Sequence, residues 1–521
     1  MRPSMEPRFE ASLCLPPDAL DILSSGSTAV LPSWVLLDSL AYMVPPGSAV
    51  RNHTTAQTMM PDGRTIEVTF LIADPPRRSY WCVSVCCPDA APHGDGNQKQ
   101  EQEQEQEQEE EDNPLDCIPK VVSLADHLAL IKVGLTTCNH WLWLVYSASA
   151  SASARGPPSL LLLPDIHDHQ PLMEPLGIVP SCACDNQLGG CIVAALSYNY
   201  QQVDPQYDLH LFSYHGEGST WTCTQQHLSV DYGQTRRPRR LFPTKVIALG
   251  DGLLGWVDLW EGILVCDVHA AAAAAADKEG GSATAHFVPM PRPLPGNQDL
   301  YRQHDSSARP LRDATFGHGH IRCVEIEQLV RPKPRAAPVV HDPSTLLLLL
   351  DSQSPMVPEK DEYEVVGWRL VTWFRALTWG HWQRGAILHS DDLIGTRGNL
   401  AWEDLQTCSP LLCANDDDAV FLTSMLKNRP HQDKTAWIVT LDMKTKSMTN
   451  QPMPFSADRA PHDDPTHIAC GLTKYLTSHD IANSDKLNTS GKKRPRPSQA
   501  TQGQQQPLKK LLQPSSSGTG N

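Results

Sequence analysis

Apolar residues along the chain gather in short runs separated by turn signals, and the clearest example lies between Lys245 and Val268. This stretch reads K-V-I-A-L-G-D-G-L-L-G-W-V-D-L-W-E-G-I-L-V-C-D-V. Gly250-Asp251-Gly252 suits a tight hairpin turn, and Trp260-Glu261-Gly262 provides a second turn. The pattern predicts a three-stranded antiparallel meander. Because so small a unit buries too little apolar area to offset the entropy lost on ordering, we expect other sheets to pack on both of its faces.

Alternation of apolar and polar residues predicts further strands. Between Arg64 and Ile72 every second residue from Ile66 onwards is apolar, and residues 80–86 are the expected partner strand across a proline-containing turn. Other segments with strand patterns are 141–146, 160–163, 192–198, 208–214, 220–225, 286–290, 321–326, 367–374, 386–389, 419–425 and 435–441.

Three places repeat one local pattern, in which an apolar strand passes through a polar turn or an insertion into a short second strand. They begin at Leu209, Ile263 and Trp437. The outer hairpin of a propeller blade reads in this way, although the spacing between the three is irregular. We therefore predict an all-β chain, either propeller-like or a multi-sheet antiparallel assembly, with disordered inserts and a disordered tail.

Three segments depart from the strand pattern. Leu124, Leu128 and Ile131 have helical spacing, which predicts a helix within residues 121–133. Residues 270–276 are an alanine run that we expect to lie in a loop, with frayed helix as the alternative. Residues 15–23 resemble the opening of an F-box, a helical motif that recruits ubiquitin-ligase machinery, but the later helices of that motif do not follow.

Composition divides the chain into five parts. We expect residues 1–28 to be disordered, residues 29–90 to form an N-terminal β segment and residues 115–482 to form the main β domain. The insert at 91–114 carries a Gln/Glu run with no large apolar side chain to bury, and the tail at 483–521 is rich in Ser, Gln, Pro and Lys. Segments of this composition do not form a packed core, so we expect both to be disordered.

Charge and cysteine content narrow the functional class. The formal net charge of -16 disfavours a general nucleic-acid binder. The first fifteen residues carry charges where a secretory signal needs an apolar core, and the longest aliphatic runs are far shorter than the ~20 residues that cross a bilayer. With 15 scattered cysteines, we expect reduced thiols and an intracellular protein of the cytoplasm or nucleus that enters no membrane.

The tail contains a compact basic run. It consists of Lys492, Lys493, Arg494 and Arg496. Such a run on a flexible tail suits a nuclear-import signal, and solvated charge on a disordered tail explains it equally well.

Five segments together resemble the domain of unknown function 1618 family, which is abundant in grasses. They are residues 31–38, 66–76, 255–268, 311–326 and 368–375, and the family block spans 245–390. The most specific of them contains W-V-D-L-W-E-G-I-L-V-C-D-V. The resemblance implies a plant protein with a domain like the propellers that follow F-boxes in plants. It implies no activity, cofactor or catalytic residue, so an interaction role follows by analogy alone.

Two groups of residues carry metal-capable side chains. They are residues 165–169, which read D-I-H-D-H, and the cysteines Cys182, Cys184 and Cys191. A zinc site needs four ligands at defined spacings, commonly C-x2-C or H-x3-H pairs, and neither group has them. Ordinary loop residues are the favoured interpretation.

Other polar clusters also have simple structural explanations. His318-Gly319-His320 reads as a glycine turn flanked by exposed imidazoles. The acidic pairs and triples at 391–392 and 416–418 suggest a cation site only if their strand ends converge, and solvated turns explain them otherwise. Because no nucleophile elbow, phosphate loop or dinucleotide fingerprint appears, we predict no catalytic residue, no cofactor and no metal ligand.

Tryptophan provides the remaining candidate site. Trp368, Trp373, Trp379 and Trp382 lie close together in the sequence. Trp368 and Trp373 are five apart on a strand, so their side chains point to opposite faces. One of them is then available as an exposed interface anchor, with core packing as the commoner alternative.

These observations predict a non-catalytic protein-interaction module with unidentified protein partners. One alternative is an F-box-like ubiquitin-ligase substrate adaptor that works through residues 15–23. Another is a carboxylate-dependent hydrolase or carbohydrate-active enzyme, which needs two Asp or Glu side chains about 5 to 10 Å apart in a pocket.

Overall fold

A computed structural model describes most of the chain between residues 15 and 476. The described ranges are 15–24, 31–45, 50–86, 115–135, 141–148, 157–166, 172–181, 190–199, 206–276, 282–303, 307–332, 363–393, 404–427, 435–449, 452–456 and 467–476, apart from single positions 217, 236, 239 and 379. The predictions for the acidic insert at 91–114 and for the basic run Lys492, Lys493, Arg494 and Arg496 lie outside these residues.

Strands dominate the described chain, and six mainly antiparallel units surround a central cavity as the blades of a propeller. The first blade combines strands from the beginning and from the end of the described chain. It contains β1 (Val35–Asp38), β2 (Tyr42–Met43), β3 (Ala56–Met59), β4 (Thr65–Leu71) and β5 (Arg78–Cys86), joined by a last strand, His467–Cys470.

The second to fifth blades each contain four strands that are consecutive in the sequence. The second is β6 (Leu115–Ala125), β7 (Leu128–Leu135), β8 (Trp141–Ser147) and β9 (Ser159–Leu162), and the third is β10 (Leu172–Pro180), β11 (Cys191–Asn199), β12 (Gln206–Tyr214) and β13 (Thr222–Asp231). The fourth is β14 (Lys245–Gly250), β15 (Leu253–Asp258), β16 (Gly262–Asp267) and β17 (Ala283–Pro289), and the fifth is β18 (Arg312–Gly317), β19 (His320–Pro332), β20 (Tyr363–Ala376) and β21 (Gln383–His389).

The sixth blade completes the ring. It contains β22 (Leu405–Cys413), β23 (Asp416–Leu426) and β24 (Thr435–Asp442), with β25 (Ser447–Met448) and β26 (Met453–Ser456) both paired to β24. The last described strand, β27 (His467–Cys470), belongs to the first blade. The helices are α1 (Pro17–Ser24), α2 (Val268–Ala276) and α3 (Gln298–Arg302), with short 3-10 turns at Pro295–Asn297, Ser390–Asp392 and Leu472–Tyr475. Among the described helices, none is long and apolar enough to cross a membrane.

Six apolar interfaces between neighbouring blades hold the ring together. Successive residues on a strand point to opposite faces, so each strand contributes to two neighbouring cores. On β20, for example, Leu370 packs into the core between the fifth and sixth blades, and Val371 packs into the core between the fourth and fifth. Leu36 of β1 and Phe421 of β23 share the core that joins the sixth blade to the first. The predicted all-β, propeller-like fold is confirmed.

The ring is closed by hydrogen bonding between distant parts of the chain. β27 pairs antiparallel with β1, so that Val35 lies opposite Cys470. β1 and β2 also pair in parallel with β5, and the outer strands β13 and β17 of adjacent blades pair in parallel. The described parts of residues 29–90 and 115–482 are therefore joined in two ways. β27 pairs with β1 in one sheet, and the first and second blades share an apolar core.

The predicted meander at 245–268 forms the first three strands of the fourth blade. Asp251 and Gly252 connect β14 to β15, with φ angles of 50° and 80°. Two central residues with positive φ match the twist of a two-residue hairpin. A Cβ on Gly252 would lie 2.2 Å from the Nδ1 of His269, so the turn requires glycine there. The three repeated strand–turn–strand patterns are the outer hairpins β12–β13, β16–β17 and β24–β25.

The helix predicted within residues 121–133 is wrong. This segment forms β6 and β7, joined through a turn at Asp126, whose φ is 51°. Leu128 and Ile131 are both buried but belong to different inter-blade cores. Because both faces of an inner strand are covered, its apolar residues follow no single period, and chance spacing imitates a helix.

The loop predicted for residues 270–276 is also wrong, since they lie in α2. Alanine has the highest intrinsic helix propensity, and the Asp267 Oδ1 accepts a hydrogen bond from the N–H of Ala270 over 2.8 Å at the start of the helix. Gln226 donates to the carbonyl of Ala271 over 2.7 Å. The helix is therefore capped and attached to β13.

Candidate functional site

A central cavity of about 700 Å³ runs between the blades. Its wall includes residues of β6, β10, β14, β18, β22 and β27, which are the innermost strands of the six blades. A cavity of this size fits a small organic molecule. Since every blade contributes to the wall, the site exists only when the ring is closed.

The cavity wall is positively charged in a protein that is acidic overall. Six cationic side chains and three carboxylates line it: Lys120, Lys132, Lys245, Arg309, Arg312 and Lys474, and Asp126, Glu174 and Asp313. The net charge of the whole chain is -16. An anionic ligand is therefore favoured in the cavity and disfavoured by the average surface.

One group of these cations surrounds Lys120 on β6. Lys120 lies opposite Lys132 of β7 in the sheet register. Lys132 forms an ion pair with the Glu174 Oε1 over 2.6 Å, and its Nζ lies 3.7 Å from the ring centroid of Trp141. Burial, together with the nearby cations Arg309 and Lys132, lowers the pKa of Lys120 to about 8 against the opposing effect of Glu174.

A second group lies on the adjoining wall. Lys245 of β14 forms an ion pair with the Oδ1 of the buried Asp313 over 2.7 Å. The Asp313 Oδ2 accepts a hydrogen bond from the N–H of Leu412 over 2.9 Å, which connects three blades. Arg309 donates to the carbonyl of Thr244. Burial lowers the pKa of Arg309, while Asp313 acts in the opposite direction.

Arg312 also faces the cavity, but its charge is neutralised inside the fold. It forms a completely buried ion pair with the Glu325 Oε2, at 2.9 Å, and donates to the carbonyls of Leu259 and Pro291, each over 2.7 Å. The Glu325 Oε1 accepts hydrogen bonds from the N–H of Leu294 and from the Asn297 side chain, each over 2.8 Å. With so many partners this pair is a structural element of the fourth and fifth blades.

An exposed loop leads from the third blade to the cavity wall. We call residues 237–242 the arginine–aromatic loop. Leu241 is buried, whereas Arg237, Arg240 and Phe242 are exposed, with Phe242 55% accessible. The Arg240 guanidinium lies 4.6 Å from the ring centroid of Phe242 and 5.3 Å from that of Tyr198. The next residues, Pro243 and Thr244, line the cavity.

Asp258 holds this loop in place. Its Oδ2 accepts a hydrogen bond from the N–H of Phe242 over 2.8 Å, and its Oδ1 accepts from the N–H groups of Trp260 and Glu261 over 2.9 and 3.0 Å. Burial raises the pKa of Asp258, and these three N–H donors oppose the increase. The conformation of the loop thus depends on the W-V-D-L-W block.

Three of the four tryptophans predicted as possible interface anchors are among the described residues. Trp368 and Trp373 are 1% and 8% exposed and occupy different inter-blade cores. Their predicted opposite orientation is therefore confirmed, and both have the packing role that the sequence also allowed. Trp382 is half-buried and donates to the carbonyl of Pro289 over 2.7 Å. Trp379 lies outside the described residues.

The other polar candidates lie in turns or at the first residues of strands. His318 and Gly319 form the turn between β18 and β19, with φ angles of 48° and 79°. The Asp392 Oδ2 accepts a hydrogen bond from the N–H of His389, and the Asp416 Oδ1 accepts from those of Asp418 and Ala419. Within the described part of the chain, no group of three or more His, Cys, Asp or Glu is placed to hold a metal ion. Residues 167–169, Cys182 and Cys184 lie outside it.

Sequence reasoning missed both the arginine–aromatic loop and the cationic cavity. Residues 236–240 read R-R-P-R-R, a local signal that the net negative charge of the chain obscures. The cavity cations have no such signal, because single lysines and arginines on six separate strands are distant in the sequence.

Part of the chain matches a family model. Residues 256–421 match the family described as "Protein of unknown function (DUF1618)", which confirms the predicted resemblance from β15 of the fourth blade to β23 of the sixth. No curated protein sequence matches the chain. Among solved structures, the "High resolution structure of Penicillium chrysogenum alpha-L-arabinanase complexed with arabinobiose" aligns with 81% of this chain and 86% of that chain, at 9% identity and a TM-score of 0.22.

Proposed function

We propose that this chain, whose residues 256–421 belong to the DUF1618 family, is a non-catalytic protein-interaction module that binds an acidic segment of a partner protein on the arginine–aromatic loop. The observation that carries the proposal is the exposure of Phe242 beside the guanidinium of Arg240. Arginine and aromatic side chains are enriched at protein interfaces and among the residues that contribute most to binding.

The loop is preorganised for binding. Leu241 is anchored in the core of the third and fourth blades, and the N–H of Phe242 is held by Asp258. A surface that is already rigid loses little conformational entropy when a partner binds. The exposed guanidinium groups of Arg237 and Arg240 select a partner of opposite charge through electrostatic complementarity.

The contacts made by the carboxylates of the cavity favour a binding role for this protein over a hydrolase role. Glu174 pairs with Lys132, Asp313 pairs with Lys245, and Asp126 accepts a hydrogen bond from the Tyr475 hydroxyl. Acid–base hydrolysis needs two carboxyl groups that are available to a glycosidic bond and to water. Each of these three is already engaged with another side chain.

The F-box-like adaptor role stays a prediction. In α1, Ala19 packs against the first blade, and Asp18 forms an ion pair with Arg78 over 3.3 Å. Leu20 on the same helix is 51% exposed. Pull-down of the adaptor subunit of a ubiquitin ligase, compared between the native chain and a Leu20→Ser variant, tests this role.

A comparative pull-down from native tissue tests the interaction proposal. The baits are the native chain, Phe242→Ser, Arg240→Glu and a matched control, Val330→Ser, which removes an apolar side chain of similar exposure, 57%, on β19. We expect one or more acidic partners to be retained by the native chain and the control and lost by both loop variants. Affinity of the purified partner should fall about 10- to 100-fold on Phe242→Ser. A partner set that is the same for all four baits contradicts the proposal.

A further inference from the structure

A buried histidine lies where the end of the described chain meets the second blade. His127 follows Asp126 in the turn between β6 and β7, and it is only 4% exposed. Neither of its ring nitrogens has a hydrogen-bond partner among the described residues. A buried polar group without a partner is uncommon in folded proteins and costs free energy. Protonation of His127 at this position would add the cost of burying a charge.

The neighbours of His127 connect it to the closure of the ring. Its ring centroid lies 5.7 Å from that of Tyr475, which ends the 3-10 turn Leu472–Tyr475. The Tyr475 hydroxyl donates to the Asp126 Oδ1 over 3.2 Å. These two contacts join the β6–β7 turn to the segment that directly follows β27. Since β27 pairs with β1, they help to hold together the two ends of the described chain.

We propose that these contacts form a pH-sensitive latch on the closed ring, in which protonation of His127 releases the turn Leu472–Tyr475 and weakens the pairing of β27 with β1. The latch contains no residue of the arginine–aromatic loop. It therefore does not depend on the interaction proposed for that loop.

Histidine is the group of the latch that titrates between pH 5 and 8. Burial lowers the pKa of His127, and the Asp126 carboxylate acts in the opposite direction. Burial and Asp126 raise the pKa of Tyr475 to about 12, so its hydroxyl stays protonated at neutral and acidic pH. The segment after β8 contributes the N–H of Ala148, which donates to the His127 carbonyl over 2.9 Å, and no titratable side chain.

Protonation changes which contacts are favourable at this point. The imidazolium has two N–H donors and no acceptor in its buried position. Asp126 is adjacent in the chain and exposed, so rotation of the imidazolium towards its carboxylate satisfies one donor. The same carboxylate is the acceptor of the Tyr475 hydroxyl. Rotation thus removes the ring contact with Tyr475 and competes for its hydrogen bond.

The direction of the pH dependence follows from the lowered pKa. In the released form the imidazole has its ordinary pKa of 6.5, whereas in the closed form its pKa is lower. The released form therefore binds the proton more strongly, and the closed form loses stability as the pH falls below 6.5. Between pH 7.5 and 5 the population of the released form can rise by at most about 30-fold. Leu472 and Leu476 remain packed in the first core of the closed form, so the change is a shift in a local equilibrium.

Hydrogen exchange of the full chain, measured by mass spectrometry at pH 7.5, 6 and 5 and corrected for intrinsic exchange rates, tests the proposal. From pH 7.5 to 5 we expect the protection of β27 and β1 to fall about 3- to 30-fold. Protection of β19 and β20, in the fifth blade, should change less than about 2-fold.

Variants assign the change to one imidazole. His127→Phe keeps an aromatic ring beside Tyr475 and removes the titrating group, so it should abolish the pH dependence. His286→Gln is the matched control, because it removes an exposed imidazole that lies 3.2 Å from the Asp231 Oδ2 on the outer strands, and it should retain the pH dependence. Tyr475→Phe keeps the ring and removes the hydrogen bond to Asp126, so it should lower the protection of β27 at pH 7.5.

Other outcomes overturn the latch. Equal protection of β27 at all three pH values does so, as does a decrease that His127→Phe retains or that His286→Gln abolishes. An equal loss of protection in β19 and β20 assigns the effect to global unfolding and also overturns it. If His127→Phe fails to fold, His127→Gln provides a second variant without a titrating group. Phe242→Ser should leave the pH dependence unchanged, which keeps this test separate from that of the loop.

Discussion

The carboxylate of Asp258 accepts a hydrogen bond from the backbone N–H of Phe242 over 2.8 Å. This contact joins the most specific block of the DUF1618 region to the most exposed aromatic side chain among the described residues. The same carboxylate closes the turn between β15 and β16 through Trp260 and Glu261. One buried residue thus determines both the local turn and the position of the proposed interaction loop.

Substitution of Asp258 by alanine should weaken both stability and partner binding. Three N–H donors lose a charged acceptor in a buried site, so the free energy of unfolding should fall by about 2 to 4 kcal/mol. Urea titration of the native and variant proteins measures the change. Asp231→Ala is the control for an exposed carboxylate: its Oδ1 accepts a hydrogen bond from the N–H of Gly233, and its Oδ2 lies 3.2 Å from the His286 Nδ1. A cost for Asp258→Ala no larger than for this control would contradict the anchoring role.

The Arg312–Glu325 pair should behave differently from the ion pairs at the surface. Glu325→Leu leaves the buried guanidinium of Arg312 without its carboxylate and should destabilise the protein by about 3 to 5 kcal/mol. In the double variant Arg312→Met/Glu325→Leu the loss should be smaller, because no unpaired charge stays buried. Glu364→Leu, which breaks the exposed pair with Arg331, should cost less than about 1 kcal/mol. Chemical denaturation of these variants measures each value, and equal losses in the single and double variants would rule out charge burial as the cause.

Lys120 should reduce the stability of the folded chain at neutral pH, because burial and the nearby Arg309 and Lys132 lower its pKa to about 8. Since the folded-state value lies below the ordinary lysine value of 10.5, the unfolded chain binds the proton more strongly and the charged form disfavours folding. This cost is fully present below about pH 8 and disappears as the pH rises towards 10.5. Lys120→Met should therefore raise the Tm at pH 7, by about 1 to 2 °C, and the gain should vanish at high pH. A lower Tm at pH 7 would assign Lys120 a structural role.

Because β27 closes the ring, a C-terminal truncation that removes β27 should lower the Tm, and one that keeps β27 should not. A chain ending at residue 482 keeps β27 and the 3-10 turn Leu472–Tyr475, so its Tm should equal that of the full chain. A chain ending at residue 465 loses the pairing of Val35–Asp38 with His467–Cys470 and the buried Leu472. Exposure of the β1 edge and of the first core should lower the Tm by several degrees or cause aggregation. Differential scanning calorimetry compares the two chains.

Prediction from the sequence was most successful where the structure depends on neighbouring residues. The hairpin turn at Asp251-Gly252 needs only two positive φ values, and the strands around it need only apolar residues between turn signals. Alternation placed Trp368 and Trp373 on opposite faces because side-chain direction along a strand is a local property. It could not decide whether either face was exposed, because that depends on blades formed by other parts of the chain.

The two wrong assignments have related causes. Residues 121–133 look helical because an inner strand is covered on both faces, so that its apolar spacing carries no information about its period. The alanine run 270–276 interrupts two strands, which predicts a loop, but the cap from Asp267 and the contact with Gln226 stabilise it as a helix. In both cases tertiary contacts selected among conformations that the local sequence permits.

By itself the sequence determined the all-β class and many of the strands and turns, because these depend on contacts within a few residues. Only the tertiary structure decided that six blades close around a cavity, that Lys120 and Arg309 lie near one another although they are far apart in the chain, and that Phe242 faces solvent. The physical reason is that both the burial of a side chain and the electrostatic field around a charge are set by all of its spatial neighbours. In a ring whose last strand pairs with its first, those neighbours come from every part of the chain.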